Sequence, residues 1–186
     1  MNKNLDAIIA VIPARYGSTR FPGKALVAIK NKPMIQWVYE RTKRSKLIDK
    51  VLVATDDDRI YSAVTSFGGE AVMTSAEHLT GTDRIAEVAA KIECGIVVNV
   101  QGDEPLIQTE MIDQAIQPLV EDARIPMSTL CRKIEIPAEA VDPNVVKVVF
   151  DKNGFSLYFS RAPIPWDRDR WAGVRSLSEL SCAGTM

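Results

Sequence analysis

Residue types able to do phosphate chemistry gather in three stretches of this 186-residue sequence. The first is Pro13-Ala14-Arg15-Tyr16-Gly17-Ser18-Thr19-Arg20-Phe21-Pro22-Gly23-Lys24, with the cations Arg15, Arg20 and Lys24, the glycines Gly17 and Gly23 and the hydroxyls Ser18 and Thr19. Glycine lets backbone N–H groups approach an anion, and guanidinium and ammonium groups supply charge, so this composition suits a polyphosphate. A solvated basic loop would share that composition. The spacing is not a Walker loop, since five residues separate Gly17 from Gly23 and Ala25 follows Lys24, and no Gly-x-Gly-x-x-Gly motif is present.

The second stretch is Gln101-Gly102-Asp103-Glu104-Pro105. Magnesium takes one or two protein carboxylates while phosphates and water complete its shell, which makes Asp103 a candidate ligand facing the basic loop. The alternative is a polar turn in which Asp103 or Glu104 caps the next helix. The third, Met73-Thr74-Ser75-Ala76-Glu77-His78-Leu79-Thr80-Gly81-Thr82-Asp83-Arg84, is a polar loop entering a helix. Its free N–H groups suit a phosphate or a base edge, while Thr80 and Thr82 equally suit helix caps. Asp56, Asp57 and Asp58 read as acidic groups stabilising a helix start, with a phosphoacceptor site as the other possibility. Arg161 suits a forked clamp on a carboxylate or phosphate, or a surface arginine. His78 is the single histidine, and no Ser-His-Asp arrangement surrounds it. Cys94, Cys131 and Cys182 lack paired spacing, which disfavours both a disulfide framework and a zinc cluster.

These stretches need a scaffold, and the pattern around them predicts one. Ala7–Ile12, Val51–Ala54 and Ile96–Val100 are continuous β-branched runs of the kind buried on both faces of a parallel sheet. Between them, Ile60, Ala63, Val64 and Phe67 lie at helical spacing, with Gly68 just past the end. Ile85, Val88, Ala89 and Ile92 repeat it after a candidate cap at Thr82, and Ile112, Ala115, Ile116 and Leu119 repeat it after Thr109, where Pro118 should kink or end the helix. Pro33 suits the first position of another helix, running to about Arg44. Val145–Phe150 and Phe155–Phe159 flank Asn153-Gly154, a hairpin signal that predicts an antiparallel addition to the sheet. The fold class expected is α/β: a Rossmann-like, mostly parallel sheet flanked by helices, with a late antiparallel hairpin. In such a sheet ligands sit beyond the carboxyl ends of the strands, where the first two stretches fall.

Apolar residues make up 46% of the chain and charged residues 25%, which is ordinary for a globular protein and argues against disorder or a coiled coil. Lys and Arg number 23 against 24 Asp and Glu, a net charge of −1 that disfavours a broad nucleic-acid surface. The longest early aliphatic run, Ala7–Ile12, falls far short of the ~20 residues of a membrane span, so no membrane insertion is expected and the default location is cytoplasmic.

Ile12–Lys24, Met73–Arg84, Val98–Pro105 and Tyr158–Pro165, taken in order, resemble the 3-deoxy-manno-octulosonate (Kdo) cytidylyltransferases, the CMP-Kdo synthetases of lipopolysaccharide biosynthesis. The resemblance implies a nucleotide-diphospho-sugar transferase-like fold and a Mg²⁺-dependent nucleotidyltransferase whose substrates are CTP and Kdo. It implies that Arg15, Lys24 and Asp103 carry the chemistry, that Ala14, Arg15, Ser18, Arg20, Lys24, Met73, Thr74, Gly81, Thr82 and Arg84 surround the nucleotide, and that Gln101 and Arg161 contact the sugar acid. Asp103 would be the metal ligand and the assembly a homodimer. The family continues past the Ser-Arg-Ala-Pro-Ile-Pro stretch into Arg-His-Ile-Gly-Ile-Tyr and Val-Asp-Thr segments, neither of which occurs before Met186. The expected organisation is therefore a nucleotidyltransferase domain over residues 1–166, incomplete at its C-terminus, with an atypical tail over 167–186. That leaves an active cytidylyltransferase and a catalytically impaired CTP-binding fragment as the two readings.

Overall fold

A four-stranded parallel sheet organises the first part of the chain, with Ile8–Ala14 between Lys50–Thr55 and Ile96–Asn99, and Ala71–Met73 on the far side of Lys50–Thr55. The computed structural model describes residues 7–17 and 21–165. The chain divides into two units, Met1–Leu130 and Cys131–Met186, described in turn. In the first unit, β1 (Ile8–Ala14) leads through a 3-10 turn at Lys24–Leu26 and a small antiparallel pair, β2 (Ala28–Ile29) and β3 (Lys32–Pro33), into α1 (Met34–Thr42). Then follow β4 (Lys50–Thr55), α2 (Asp58–Ser66), β5 (Ala71–Met73), α3 (Gly81–Ala89), β6 (Ile96–Asn99) and α4 (Thr109–Glu121).

Period-two alternation along the strands sorts the core into two layers. Ile8, Ala10 and Ile12 of β1 and Val51 and Val53 of β4 join Ile35 and Val38 of α1, Ile60 and Val64 of α2, and Ile112 and Ile116 of α4. On the other face, Ile9, Val11, Leu52 and Ala54 pack with Ile85 and Val88 of α3. The β1 and β4 runs are thus buried on both faces, as their continuous apolarity predicts. The Ile96–Val100 run is not: β6 is an edge strand among the described residues, and Val97 stays 36% exposed. Only Val100, just past the strand, is fully enclosed.

The helix ends correct two further expectations. Thr80, not Thr82, caps α3: its hydroxyl accepts the Asp83 N–H at 3.2 Å while Asp83 Oδ2 accepts the Thr80 N–H at 3.1 Å. This reciprocal pair satisfies two donors that a helix start leaves open. Pro118 does not end α4, which runs on to Glu121. Burial of Ile112 and Ile116, with Val120 against the same core, offsets the hydrogen bond that proline forfeits. Asp57 caps α2, accepting the Arg59 N–H at 3.0 Å, and Gly68 beyond its end has φ of +79°.

The second unit contains α5 (Pro137–Val141) and the hairpin β7 (Lys147–Phe150) and β8 (Ser156–Ser160). Asn153-Gly154 turns it, with Gly154 at φ +86° and Asp151 Oδ1 accepting the N–H groups of Asn153 and Phe155 at 2.8 and 2.9 Å. The hairpin forms where expected, but as a separate two-stranded sheet rather than an addition to the parallel one. The tail expected over 167–186 lies outside the described residues, as does Cys182.

Candidate active site

Beyond the carboxyl ends of β1 and β6, within the first unit, opens a cleft of about 720 Å³. Topology favours this place: β1 and β6 are adjacent parallel strands, so the loops that leave them emerge at the same end of the sheet. Ala14 and Arg15 line one wall as β1 ends, with Lys24 where the loop returns, and Gln101, Gly102 and Asp103 line the facing wall. Gly81 and Arg84 at the start of α3 form a third side, with His78 and Leu79 before them.

Two glycines are needed for this closeness. A β-carbon at Gly102 would sit 2.8 Å from the Pro13 carbonyl oxygen, so only glycine lets the β6 loop lie against the end of β1. Gly23, at φ +71°, turns the basic loop back, and its N–H donates to the Tyr16 carbonyl at 2.9 Å. The turn delivers Lys24 to the cleft, where its Nζ donates to Asp103 Oδ2 at 2.7 Å. The two side chains stay 40% and 53% exposed. The candidate phosphate lysine and the candidate metal-ligating carboxylate therefore meet at one point, although 79 residues separate them.

Arg84 lines the cleft yet is only 3% exposed. Its Nη2 donates to Asp56 Oδ2 at 2.9 Å and its Nη1 to the Thr74 hydroxyl. Thr74 is itself tied to β4, its N–H and hydroxyl donating to the Thr55 carbonyl at 2.9 and 3.1 Å. Arg84 is thus engaged in joining α3 to the ends of β4 and β5. Asp56 had no such role in the sequence reading, because nothing local links it to a residue 28 positions away.

His78 was also passed over as a lone histidine. In the cleft wall its Nε2 lies 2.6 Å from Glu87 Oε2, and Glu87 accepts from Lys91 Nζ at 2.6 Å and from the Ser75 N–H at 2.9 Å. Lys91 first, then the Ser75 amide and His78, lower the Glu87 carboxyl to about 2. The Glu87-to-Lys91 spacing is readable from sequence, but the reach across the loop to His78 is not.

Met73, Thr74 and Thr82, expected beside the nucleotide, are not among the cleft-lining residues. Met73 ends β5, and Thr82 is exposed in the first turn of α3. Ser18 and Arg20 fall outside the described residues. Arg161 belongs to the second unit, where its Nη1 donates to the Pro143 carbonyl at 2.8 Å and its own carbonyl accepts from the buried Lys147 Nζ at 2.6 Å. Among the described residues no group of three or more His, Cys, Asp or Glu side chains is placed to hold a metal ion. One accessible carboxylate beside cations fits Mg²⁺ carried mainly by a substrate's phosphates, not a cage built by the protein.

The sequence profile of the family described as Cytidylyltransferase matches residues 9–182. A 3-deoxy-manno-octulosonate cytidylyltransferase of Geobacter metallireducens is 61% identical over 168 residues, 90% of this chain and 66% of that protein. Its namesake in Geobacter sulfurreducens is 57% identical over 174 residues, 94% of this chain and 70% of that one. A solved structure of CMP:2-keto-3-deoxy-manno-octonic acid synthetase complexed with CTP superposes with a TM-score of 0.85 at 48% identity, covering 88% of this chain and 67% of its own. The chain spans about two thirds of the length of the curated relatives it matches. By profile, identity and fold together, the chain belongs to the cytidylyltransferase family, among the 3-deoxy-manno-octulosonate cytidylyltransferases.

Proposed function

We propose that this chain performs the reaction its relatives are named for, transferring CMP from CTP to Kdo with release of pyrophosphate, the activation step that precedes lipopolysaccharide assembly. The observation that carries the reading is the meeting of Arg15, Lys24, Gln101 and Asp103 around one cleft at the carboxyl ends of β1 and β6. A triphosphate is a dense anion, and here the strand ends present cations and a carboxylate within the reach of one such ligand.

In this reading Arg15 and Lys24, with Arg20 and Ser18 from the same loop, bind the triphosphate. Ala14 and the His78–Gly81 part of the third stretch lie along the nucleoside, with Arg84 positioning α3 rather than contacting phosphate. Gln101 contacts the sugar acid from the cleft wall, and Arg161, a residue of the second unit, suits a carboxylate through its fork. The Kdo anomeric oxygen forms a bond to the α-phosphorus as the bond to the pyrophosphate oxygen breaks, and the proton of the attacking hydroxyl passes to water. Mg²⁺ bound through Asp103 and the phosphates would offset negative charge on the leaving group. For that, Asp103 must exchange its contact with Lys24 for the ion, and Lys24 must turn to the phosphate. Holding both anions in line removes much of the entropic barrier. A homodimer and a cytoplasmic location belong to the same proposal; no helix among the described residues is long and apolar enough to cross a membrane.

The test is pyrophosphate release from CTP and Mg²⁺ by this 186-residue chain, with and without Kdo. Kdo-dependent release is expected, and Asp103→Asn should lower it by roughly 100-fold, the scale of metal-assisted charge stabilisation. Absence of release in the wild-type chain with CTP still bound would favour a nucleotide-binding fragment. Release indifferent to Kdo would overturn the substrate assignment.

A further inference from the structure

The two ends of the loop that brings Arg15 and Lys24 to the cleft meet at a side chain outside the cleft lining. Tyr16 follows Arg15 directly, and its carbonyl accepts the Gly23 N–H at 2.9 Å, joining the two ends of the loop. Its ring rests against Gly23 so closely that a β-carbon there would lie 3.0 Å from the ring's Cε2. The same ring packs on the core layer beneath α1 and α2. Over its face, 3.3 Å from the centroid, lies the guanidinium carbon of Arg59 in the first turn of α2.

Arg59 is fixed in turn. Its Nε donates to Asp57 Oδ1 at 2.9 Å and its Nη2 to Asp57 Oδ2 at 2.6 Å, a fork that leaves the guanidinium plane free to stack. This pairing, foremost, holds the Asp57 carboxyl below its ordinary range. The acidic triplet that the reaction leaves unused thus has an occupation: Asp57 caps α2 and anchors the cation that covers Tyr16.

We propose that Tyr16 is a positioning residue for the triphosphate, its ring stacked by Arg59 and seated on Gly23 so that Arg15 and Lys24 are held in place from the two ends of the loop before the nucleotide arrives. The inference rests on the cytidylyltransferase reading for its purpose, though not for the clasp itself. Loop ends joined in advance spare the ligand the entropy of bringing them together. Without the ring, CTP binding must order about one further residue, and the affinity should fall about tenfold, which is ~1.4 kcal/mol. The loss belongs in KM for CTP more than in kcat, because the reacting groups are unaltered.

The experiment compares wild type, Tyr16→Phe, Tyr16→Ala and Arg59→Ala in three readouts: amide hydrogen exchange of the free protein over residues 14–26, calorimetric titration with Mg·CTP, and thermal unfolding. Tyr16→Ala should speed exchange at Gly23 and Lys24 without altering α3, and weaken CTP about tenfold. Tyr16→Phe, which keeps the ring, should match wild type in both. Arg59→Ala changes an exposed side chain outside the core, and should speed the same amides and weaken CTP about threefold, the scale of an exposed cation–π contact. Faster exchange with CTP affinity within about twofold of wild type would make Tyr16 merely structural and overturn the proposal. Unchanged exchange in Tyr16→Ala, no effect of Arg59→Ala in either readout, or a Phe variant as impaired as the Ala variant would overturn it as well. A wild-type chain that binds no CTP would overturn the cytidylyltransferase reading, while exchange would still decide for or against the clasp.

Discussion

Replacing Arg84 by methionine should cost stability and little else, whereas replacing Lys24 by methionine should do the reverse. Both residues line the cleft and both read from sequence as nucleotide contacts, so the pair separates scaffold from site. Arg84 is 3% exposed in its side chain and Asp56 21%, with Thr74 bonded to the same guanidinium. Removing one partner of a buried pair costs ~3–5 kcal/mol, and since Asp56 can regain some water the lower end applies, about 3 kcal/mol. At ~2–4 °C per kcal/mol for a chain of this size, Arg84→Met should lower Tm by about 6–12 °C. The Lys24–Asp103 pair is 40% and 53% exposed, where an ion pair contributes only ~0–1 kcal/mol, so Lys24→Met should shift Tm by less than about 4 °C. Losing a charged hydrogen bond to phosphate is worth ~1.5–3 kcal/mol, or about 10–150-fold in CTP affinity. Circular dichroism melts and calorimetric CTP titration, run below the lowered Tm, measure both quantities. The reasoning is refuted if Arg84→Met melts like wild type but loses CTP, or if Lys24→Met loses as much stability as Arg84→Met.

Two more outcomes follow from the site's surroundings. Glu87 has its carboxyl lowered to about 2 from an ordinary value near 4.5, so it adds stability that is complete above about 4.5 and is lost as the pH falls through 2. Glu87→Gln should therefore be less stable than wild type at pH 7, and the two urea midpoints should converge between pH 4.5 and 2; a constant gap across that window would remove the pairing from the account. At Gly102, alanine puts a β-carbon 2.8 Å from the Pro13 carbonyl oxygen, and the backbone must shift to relieve it. Gly102→Ala should lose ~1–3 kcal/mol in urea unfolding and displace Asp103, weakening Mg²⁺-dependent turnover; wild-type values in both would show that the loop gives way without strain.

Much of this protein was legible because its signals are local. The apolar runs at β1 and β4, the acidic start of α2 with Gly68 after it, and the Asn153-Gly154 turn each depend on residues within one or two turns of each other. The basic loop and Gln101–Pro105 were legible as chemistry because their residue types are costly to gather without a ligand. Continuous apolarity in β6 showed that the run tolerates burial, but how many strands lie beside it is set by the rest of the sheet, and among the described residues it is an edge. The partners that convert loops into a site lie 79 residues apart for Lys24 and Asp103 and 28 for Arg84 and Asp56. No period or spacing encodes such pairs. The sequence alone determined which residues could handle a nucleotide and that strand ends would carry them; which cation stays open to the cleft and which is buried in holding its walls together was decided only when folding brought distant side chains into contact and shielded some of them from water.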